Sequence, residues 1–228
     1  EEIDLPFAVF GVIPNYVRKD KYEVLTWAGM NRVRMGVQSG SQEILDFYKR
    51  PTPLEKIEAA DAVNASFVPK YHIPPSYDMI MDNPIETRQN VIDTIELAYR
   101  FERPWTLNIY SLKIIPNTDL AAEFAKRGVD LATISKNYFN VPKRWGNVMM
   151  YLLVIWRPPR WLFERMLKRV EASATPQKMY PVTGFVLRAV SLVKRGFHHL
   201  RQMDFSTIPG YGGFICWRLG LVGFWRRK

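Results

Sequence analysis

Two aspartates share one face of a short apolar segment, in the sequence Tyr77-Asp-Met-Ile-Met-Asp-Asn-Pro-Ile-Glu-Thr87. Side chains alternate along a β-strand, so Asp78 and Asp82 lie on the same side as Ile80. A carboxylate on the inner face of a sheet is unstable unless a partner satisfies it. We expect a bound ligand to be that partner for Asp78. For Asp82 two interpretations stand: a ligand contact nearer the mouth of the site, or a turn cap before Asn83-Pro84.

Two further polar side chains flank a helix-like segment. Gln38 ends the alternating stretch Arg32–Gln38, and Arg50 lies twelve residues later. An amide both donates to and accepts from hydroxyl groups, and a guanidinium binds a carboxylate through two parallel hydrogen bonds. From the residue types alone, a strand-end amide and a surface arginine are the simpler interpretation of Gln38 and Arg50.

The last predicted strand, Thr106–Leu112, has the same alternation. Asn108 and Tyr110 share a face that can point into the fold, opposite Leu107 and Ile109. They are candidates for lining a binding site, and Tyr110 also fits as an ordinary core aromatic. The lone His72 and the pair His198-His199 have no ligand partner at useful spacing, so we assign them no role.

The segments that carry these residues alternate between strand-like and helix-like patterns. Strands are predicted at Leu5–Ile13 and at the three polar-ended segments above, with helices between them and after the last. Capping-box spacing at Ser39 with Gln42, and at Thr52 with Glu55, places helix starts there, with Pro53 at the first helical position of the second. Glu86 and Thr87 are expected to cap the next helix, Thr87–Phe101. A further helix follows Asn117-Thr-Asp119.

This order of elements, β-α-β-α-β-α-β-α, predicts an α/β fold with a parallel sheet, either a barrel or a doubly wound sheet. In both architectures ligands bind at the carboxyl ends of the strands. The polar turns at 38–41, 82–87 and 111–117 all fall at those ends.

The motifs, taken in order, resemble those of the radical S-adenosylmethionine enzymes, in particular the subgroup with an N-terminal cobalamin-binding domain. The segments that carry the resemblance are "RVRMGVQSGSQEILDFYKR" and "YDMIMDNPIETRQNVIDTIELAYRFERPWTLNIYSLKIIPNTDL". The Asp-Asn-Pro-x-Glu-Thr turn and the Leu-Asn-x-Tyr-Ser-Leu strand point to that subgroup. The resemblance covers roughly residues 5–127. It implies a partial (β/α)6 barrel of the TIM-like kind, of which this chain holds the later strands.

The resemblance also implies which residues contact the cofactor S-adenosylmethionine. An Asp six residues before the turn proline accepts hydrogen bonds from the ribose in similar enzymes, and Asp78 has that spacing to Pro84. A strand-end Gln contacts the ribose, and the following Arg contacts the ribose or the methionine carboxylate. The backbone at 111–113 contacts adenine. The candidate cofactor-binding residues are therefore Gln38, Ser39, Arg50, Asp78, Asp82, Asn108, Tyr110 and Ser111.

Cysteine content departs from the family pattern. Such enzymes hold a [4Fe–4S] cluster on a Cys-x3-Cys-x2-Cys loop, which needs several thiolates. This chain has one cysteine, Cys216, so we assign it no metal ligands. Glu1 has the character of an internal residue, without an initiator Met or signal-peptide pattern. We expect the cluster loop, the first two strands and any cobalamin domain upstream; the competing interpretation is a natural barrel that has lost its radical chemistry.

Charge divides the chain near residue 130. Residues 1–130 hold 15 Lys and Arg against 19 Asp and Glu, whereas residues 131–228 hold 17 against 3. We therefore expect a barrel portion at 1–130 and a basic, aromatic, mainly helical extension at 131–228. Three partners or roles remain open for the stretch 144–228: an anionic membrane surface, a cap over the barrel, and nucleic acid, the last being the least favoured.

Together these features predict part of a radical S-adenosylmethionine enzyme that generates a 5′-deoxyadenosyl radical for methyl transfer or rearrangement, with cobalamin as a further cofactor. A small or lipid-like substrate fits the basic, aromatic extension, and a cytoplasmic location, peripheral to the inner membrane face, fits with it. The alternatives are a non-catalytic barrel serving as a membrane-peripheral binding module, and a radical enzyme that modifies RNA.

Overall fold

A computed structural model describes residues 7–50, 52–71, 74–129 and 144–173, together with the helical residues Phe185, Val186, Ala189, Val190, Leu192, Val193 and Gly196. The four strands are β1 (Phe7–Val12), β2 (Met30–Gln38), β3 (Ser76–Ile80) and β4 (Thr106–Tyr110). The helices are α1 (Lys19–Trp27), α2 (Gln42–Phe47), α3 (Leu54–Tyr71), α4 (Arg88–Arg100), α5 (Asp119–Lys126), α6 (Trp145–Ile155) and α7 (Arg160–Leu167), with a 3-10 turn at Pro14–Tyr16.

The strands form one sheet in the order β1-β2-β3-β4, and every neighbouring pair is parallel. The predicted α/β class and the strand–helix alternation are confirmed. Because consecutive strands are neighbours, the sheet winds in one direction, as a section of a (β/α) barrel does, and does not reverse as a doubly wound sheet would.

The two faces of the sheet differ in polarity. One face is apolar and fully buried, and it includes Met35, Val37, Tyr77, Met79, Leu107 and Ile109. Helices α3, α4 and α6 cover this face within one continuous hydrophobic cluster. The other face carries Arg34, Gly36, Asp78 and Asn108 and stays partly exposed. The alternation in the sequence therefore separates a helix-covered outer face from a polar inner face.

Helix α6 extends the outer helical layer. It packs against α4 and β4, and its side chains Val148, Met149, Met150 and Leu153 belong to the same cluster as the sheet. Helix α7 adds Phe163 and Leu167 to that cluster. Residues 144–167 of the basic extension thus share the core of the strands.

The helix starts show where local patterns succeed and fail. Thr118 caps α5 by accepting the Ala121 amide, as expected. The predicted capping box of Ser39 with Gln42 is wrong, because Ser41 is the N-cap of α2 and makes no side-chain cap bond. The Ser39 hydroxyl instead lies 3.1 Å from the Thr94 hydroxyl on α4, so a long-range contact replaces the local one.

Helix α3 begins one residue later than the pattern predicted. It starts at Leu54, and the amides of Lys56 and Ile57 donate to the Pro53 carbonyl. Pro53 therefore precedes the helix and is not its first residue.

We predict that Gly40→Ala destabilises the protein, because a Cβ there would lie 2.6 Å from the Asp93 carbonyl oxygen and from the Thr94 Cα. Both are backbone atoms of α4 that cannot move independently, and overpacking of this kind costs about 1–3 kcal/mol or more. The matched control is Gly146→Ala, whose Cβ would make ordinary contacts of 3.4 Å and longer with Val91 and Ile95. Thermal unfolding should show a lower Tm for the first variant only. Equal Tm values for the two variants would contradict this packing.

Candidate functional site

The inner face of the sheet is organised around an ion pair between Arg34 of β2 and Asp78 of β3. The Arg34 Nε donates to both carboxylate oxygens, at 2.7 and 2.8 Å. The Asn108 amide of β4 donates to the same carboxylate at 2.9 Å, and the Arg34 guanidinium also donates to the Tyr110 hydroxyl. One network thus joins three adjacent strands and satisfies the carboxylate that the sequence places on this face.

The Asp78 carboxylate can accept a further hydrogen bond. An ionised carboxylate offers about four lone-pair positions. Asn108 takes one position on Oδ1 and Arg34 bridges the two oxygens, so Oδ2 has no donor other than Arg34 among the described contacts. The Asp78 side chain is 15% exposed. A ligand hydroxyl that reaches the inner face can therefore hydrogen-bond to it.

Gln38 and Arg50 meet above Gly36, the residue that faces Asp78 across the β2–β3 pair. A Cβ added to Gly36 would lie 2.5 Å from the Gln38 Nε2 and 3.6 Å from the Arg50 Nη1. Gln38 has a φ of 70°, a left-handed conformation that is uncommon for a side-chain-bearing residue. This turn at the strand end folds the amide back over Gly36, and the absence of a side chain at 36 provides the space.

A cavity of about 200 Å³ adjoins Gly36 and Arg50. Its lining combines the cations of Lys49 and Arg50 with the polar residues Asn15 and Thr52 and a set of apolar side chains. The apolar part comprises Ile13, Pro14, Val37, Leu45 and Ile57. The Lys49 ammonium is paired with the Asp119 carboxylate at 2.6 Å, so Arg50 is the main cationic feature of this lining. A pocket with a guanidinium at one side and an apolar remainder suits a molecule with an anionic group and an uncharged body.

Asp82 lies beyond the end of β3 and is half-buried. Burial raises the pKa of Asp82, while a hydrogen bond from the Ser111 side chain and the charge of Arg144 lower it. The turn after it is closed by another residue, because the Ile85 amide donates to the Asn83 Oδ1 at 3.1 Å. Asn83, and not Asp82, is therefore the residue that caps the Asn-Pro turn.

The remaining sequence candidates lie deeper in the fold. Ser39 and Ser111 are fully buried, and the Ser39 hydroxyl is engaged with Thr94 and the Ser41 amide. Asn108 and Tyr110 lie on the inner face, where Asn108 also donates to the Ser76 hydroxyl at 2.9 Å. Among the candidates, Gln38, Arg50, Asp78, Asp82 and Asn108 are at least partly exposed, whereas Ser39, Tyr110 and Ser111 are buried.

Glu86 has a role that the sequence did not indicate. The expected cap at the start of α4 is correct for Thr87, which forms a capping box with Asn90, and wrong for Glu86. The Glu86 side chain is buried and accepts hydrogen bonds from the Ser173 hydroxyl at 2.9 Å and from the Asn83 amide at 3.4 Å. Burial raises the pKa of Glu86 to about 7, and these two hydrogen bonds oppose the rise. No local pattern reveals a contact between residues 87 positions apart.

The sequence also did not indicate Arg34 as a residue of the candidate site. Its partner Asp78 is 44 positions away along the chain, so only the knowledge that β2 and β3 are neighbours brings the two together. The available signal was its placement on the same strand face as Gly36 and Gln38. Within the described ranges, no group of three or more His, Cys, Asp and Glu side chains could hold a metal ion.

Neither protein-family models nor curated proteins give a match to this chain. Among solved structures it is similar to coproporphyrinogen III oxidase (HemN) from Escherichia coli, described as a radical SAM enzyme, with 19% identity, a TM-score of 0.44 and coverage of 71% of this chain and 32% of that one. It is similar to Elp3 from Methanocaldococcus infernus, with 17% identity, a TM-score of 0.45 and coverage of 85% and 42%. It is also similar to the cobalamin-dependent S-adenosylmethionine radical enzyme OxsB, with 15% identity, a TM-score of 0.40 and coverage of 98% and 39%. The chain thus spans less than half the length of each of these three proteins.

We predict that Glu86→Gln changes the pH dependence of stability. The pKa of Glu86 in the fold, about 7, lies above its ordinary value of 4.5. The contribution of the protonated carboxyl is therefore complete below pH 4.5 and is lost as the pH rises to 7, a change on the order of 3 kcal/mol. Glutamine can accept the same two hydrogen bonds without titrating. Relative to wild type, Glu86→Gln should have a similar Tm at pH 5 and a higher Tm at pH 8.

The control is Glu58→Gln, because Glu58 is a half-exposed side chain paired with Arg100. Its Tm difference from wild type should stay small, because a surface ion pair contributes at most about 1 kcal/mol. A Glu86→Gln difference that is independent of pH would show that this carboxyl does not titrate between pH 5 and 8.

Proposed function

We propose that this chain supplies the S-adenosylmethionine-binding part of a radical S-adenosylmethionine enzyme. The supporting observation is the convergence of Asp78, Gln38 and Arg50 around Gly36, at the carboxyl ends of neighbouring parallel strands. These are the positions at which the sequence motifs resemble that family, and the strand ends are where ligands bind in such folds.

The donor and acceptor set fits the cofactor. Asp78 has an oxygen that can accept from a ribose hydroxyl, and the Gln38 amide, held above Gly36, can both donate to and accept from the same sugar. Arg50 lines the adjoining cavity, and its guanidinium can bind the methionine carboxylate. When bound, S-adenosylmethionine and a [4Fe–4S] cluster supply a 5′-deoxyadenosyl radical.

Two residues on the inner face act as positioning groups in this proposal. Asn108 and Tyr110 hydrogen-bond to Asp78 and Arg34 respectively, so they fix the carboxylate and the guanidinium in place. Their contact with the cofactor is therefore indirect. Asp82, half-buried beyond β3, is placed to meet either the cofactor or the substrate.

The cluster cannot be held by this chain through cysteine alone, since Cys216 is its single cysteine and a cluster takes several thiolates. In our proposal the cluster ligands, and any cobalamin site, belong to other parts of the working enzyme. The reaction remains methyl transfer or rearrangement, and the substrate small or lipid-like. The second candidate, a binding barrel without radical chemistry, is favoured by the same cysteine count and by an Asp78 that Arg34 already neutralises.

Iron analysis separates these two candidates. The protein is expressed from the complete natural gene, purified without oxygen, and assayed for iron and for 5′-deoxyadenosine formed from S-adenosylmethionine under reduction. About four iron atoms per chain, or a multiple of four, together with the nucleoside product, are expected. A protein that binds S-adenosylmethionine but holds no iron would establish the non-catalytic barrel.

We predict that Asp78→Asn and Gly36→Ala both weaken the binding of S-adenosylmethionine to that protein. Asparagine loses the charged acceptor, and hydrogen bonds to charged groups contribute about 1.5–3 kcal/mol, equivalent to a loss of about tenfold to a hundredfold. Alanine at 36 would displace the Gln38 amide, which is 2.5 Å from the added Cβ. Equilibrium dialysis with labelled cofactor measures both effects.

The matched control is Asp20→Asn, because Asp20 is an exposed carboxylate paired with Arg18 on α1. Its affinity should equal that of wild type. Unchanged affinity in both Asp78→Asn and Gly36→Ala would show that this face of the sheet is not part of the binding site.

A further inference from the structure

The basic extension carries large apolar side chains that are exposed and do not pack in the core. Trp156, Trp161, Phe185, Leu192 and Val193 are each between 50% and 74% exposed. Other apolar residues of the same extension, including Val148, Met150 and Phe163, are fully buried. Among its described residues, the extension therefore has an inner apolar set that packs on the barrel and an outer set that faces solvent.

The loop between α6 and α7 holds its two tryptophans outward. Tyr99 donates to the Pro158 carbonyl at 2.9 Å, and the Arg157 guanidinium donates to the Phe101 carbonyl at 2.5 Å. At the other end, Arg160 binds Glu96 at 3.1 Å and Glu164 at 2.8 Å. The bonds to Tyr99, Phe101 and Glu96 anchor the segment between Trp156 and Trp161 to α4 and its C-terminal end, while the Glu164 bond lies within α7. The two indoles are therefore exposed on a loop whose backbone is held in place.

The helical residues between 185 and 196 show the same division into two sets. Val186 and Val190, four residues apart, pack against the main hydrophobic cluster. Phe185, Leu192 and Val193 are also helical residues, and their side chains are exposed. Apolar side chains that face water beside packed ones indicate a surface for an apolar partner.

The charge of the surroundings indicates an anionic partner. Arg165 of α7 and Lys168, the C-cap of that helix, follow Trp161 at i+4 and i+7, so they share its side of the helix, and all three side chains are exposed. From residue 131 onward the sequence carries 17 Lys and Arg against 3 Asp and Glu. Tryptophan with exposed cations and aliphatic side chains is the composition of a membrane-interface segment.

A role as a barrel cap and the binding of nucleic acid both fit this surface less well than a membrane does. A cap that only covers the barrel would bury its large apolar side chains. Nucleic acid would use the cations and stack on aromatic rings, but the aliphatic side chains of Leu192 and Val193 have no comparable use there. Among the residues that the structure describes, no helix has the length and hydrophobicity to cross a bilayer. The surface therefore suits binding in the plane of the interface.

We propose that the exposed apolar side chains of Trp156, Trp161, Phe185, Leu192 and Val193, with the cations of Arg165 and Lys168, form a docking surface for an anionic lipid bilayer. This proposal does not depend on the chemistry of the barrel. The indole rings and the other exposed apolar side chains enter the boundary between headgroups and acyl chains, while Arg165 and Lys168 lie against the lipid phosphates.

Vesicle flotation of the full-length protein tests the proposal. The protein is mixed at low salt with vesicles of phosphatidylcholine, with and without phosphatidylglycerol, and the bound fraction is measured. Wild type should float with the anionic vesicles. Trp156→Ser/Trp161→Ser and, separately, Leu192→Ser/Val193→Ser should each weaken binding by about tenfold or more. Arg165→Gln/Lys168→Gln should weaken it by about fivefold for each charge removed and should reduce its salt dependence.

Trp27→Ser is the matched control, because Trp27 is a more exposed tryptophan, at 78%, on α1 of the barrel portion. It should bind vesicles as wild type does, and circular dichroism should show that every variant is folded. Wild-type protein that stays at the bottom of the gradient with anionic vesicles at low salt would overturn the proposal. So would an equal loss in Trp27→Ser, or salt-dependent binding of homopolymeric RNA with no binding of anionic vesicles.

Discussion

The ion pair of Arg34 with Asp78 is the constraint on which the inner face of this sheet depends. A carboxylate at that position would be costly to desolvate without a partner, and Arg34 and Asn108 provide one from each neighbouring strand. The pair ties β2 to β3, and the Asn108 bond adds β4, on the face opposite the one that the described helices of the main cluster cover. It also sets the polarity of the face, and a polar face of this kind is the basis for our proposal that a hydroxyl-bearing ligand binds there.

Much of this fold can be read from the sequence, because strand and helix periods and the faces they create are local properties. The alternation in Arg32–Gln38 correctly separated the buried Val33, Met35 and Val37 from the inner-facing Arg34, Gly36 and Gln38. Helix starts were less reliable. Ser39 has the spacing of a cap, yet it is buried against Thr94 of α4, and a tertiary contact of that kind has no local signature.

The site was partly predictable for the same reason. Gln38 and Arg50 are joined by one short helix, so their convergence above Gly36 could be expected from spacing and family resemblance. Arg34 and Glu86 could not be found in this way, because their partners Asp78 and Ser173 are 44 and 87 positions away. The extension was expected from its charge, but the packing of α6 and α7 into the core of the barrel portion was not, since composition does not show which element an apolar helix contacts.

A structure of the complete protein with S-adenosylmethionine bound would test the central claim most directly, through the distance from the Asp78 carboxylate to the ribose oxygens. The account predicts a hydrogen bond of about 2.5–3.0 Å, with the Gln38 amide near the same sugar and Arg50 toward the methionine end. A cofactor bound elsewhere, with Asp78 still engaged only by Arg34 and Asn108, would contradict it. The network would then be a structural tie between strands and no part of a binding site.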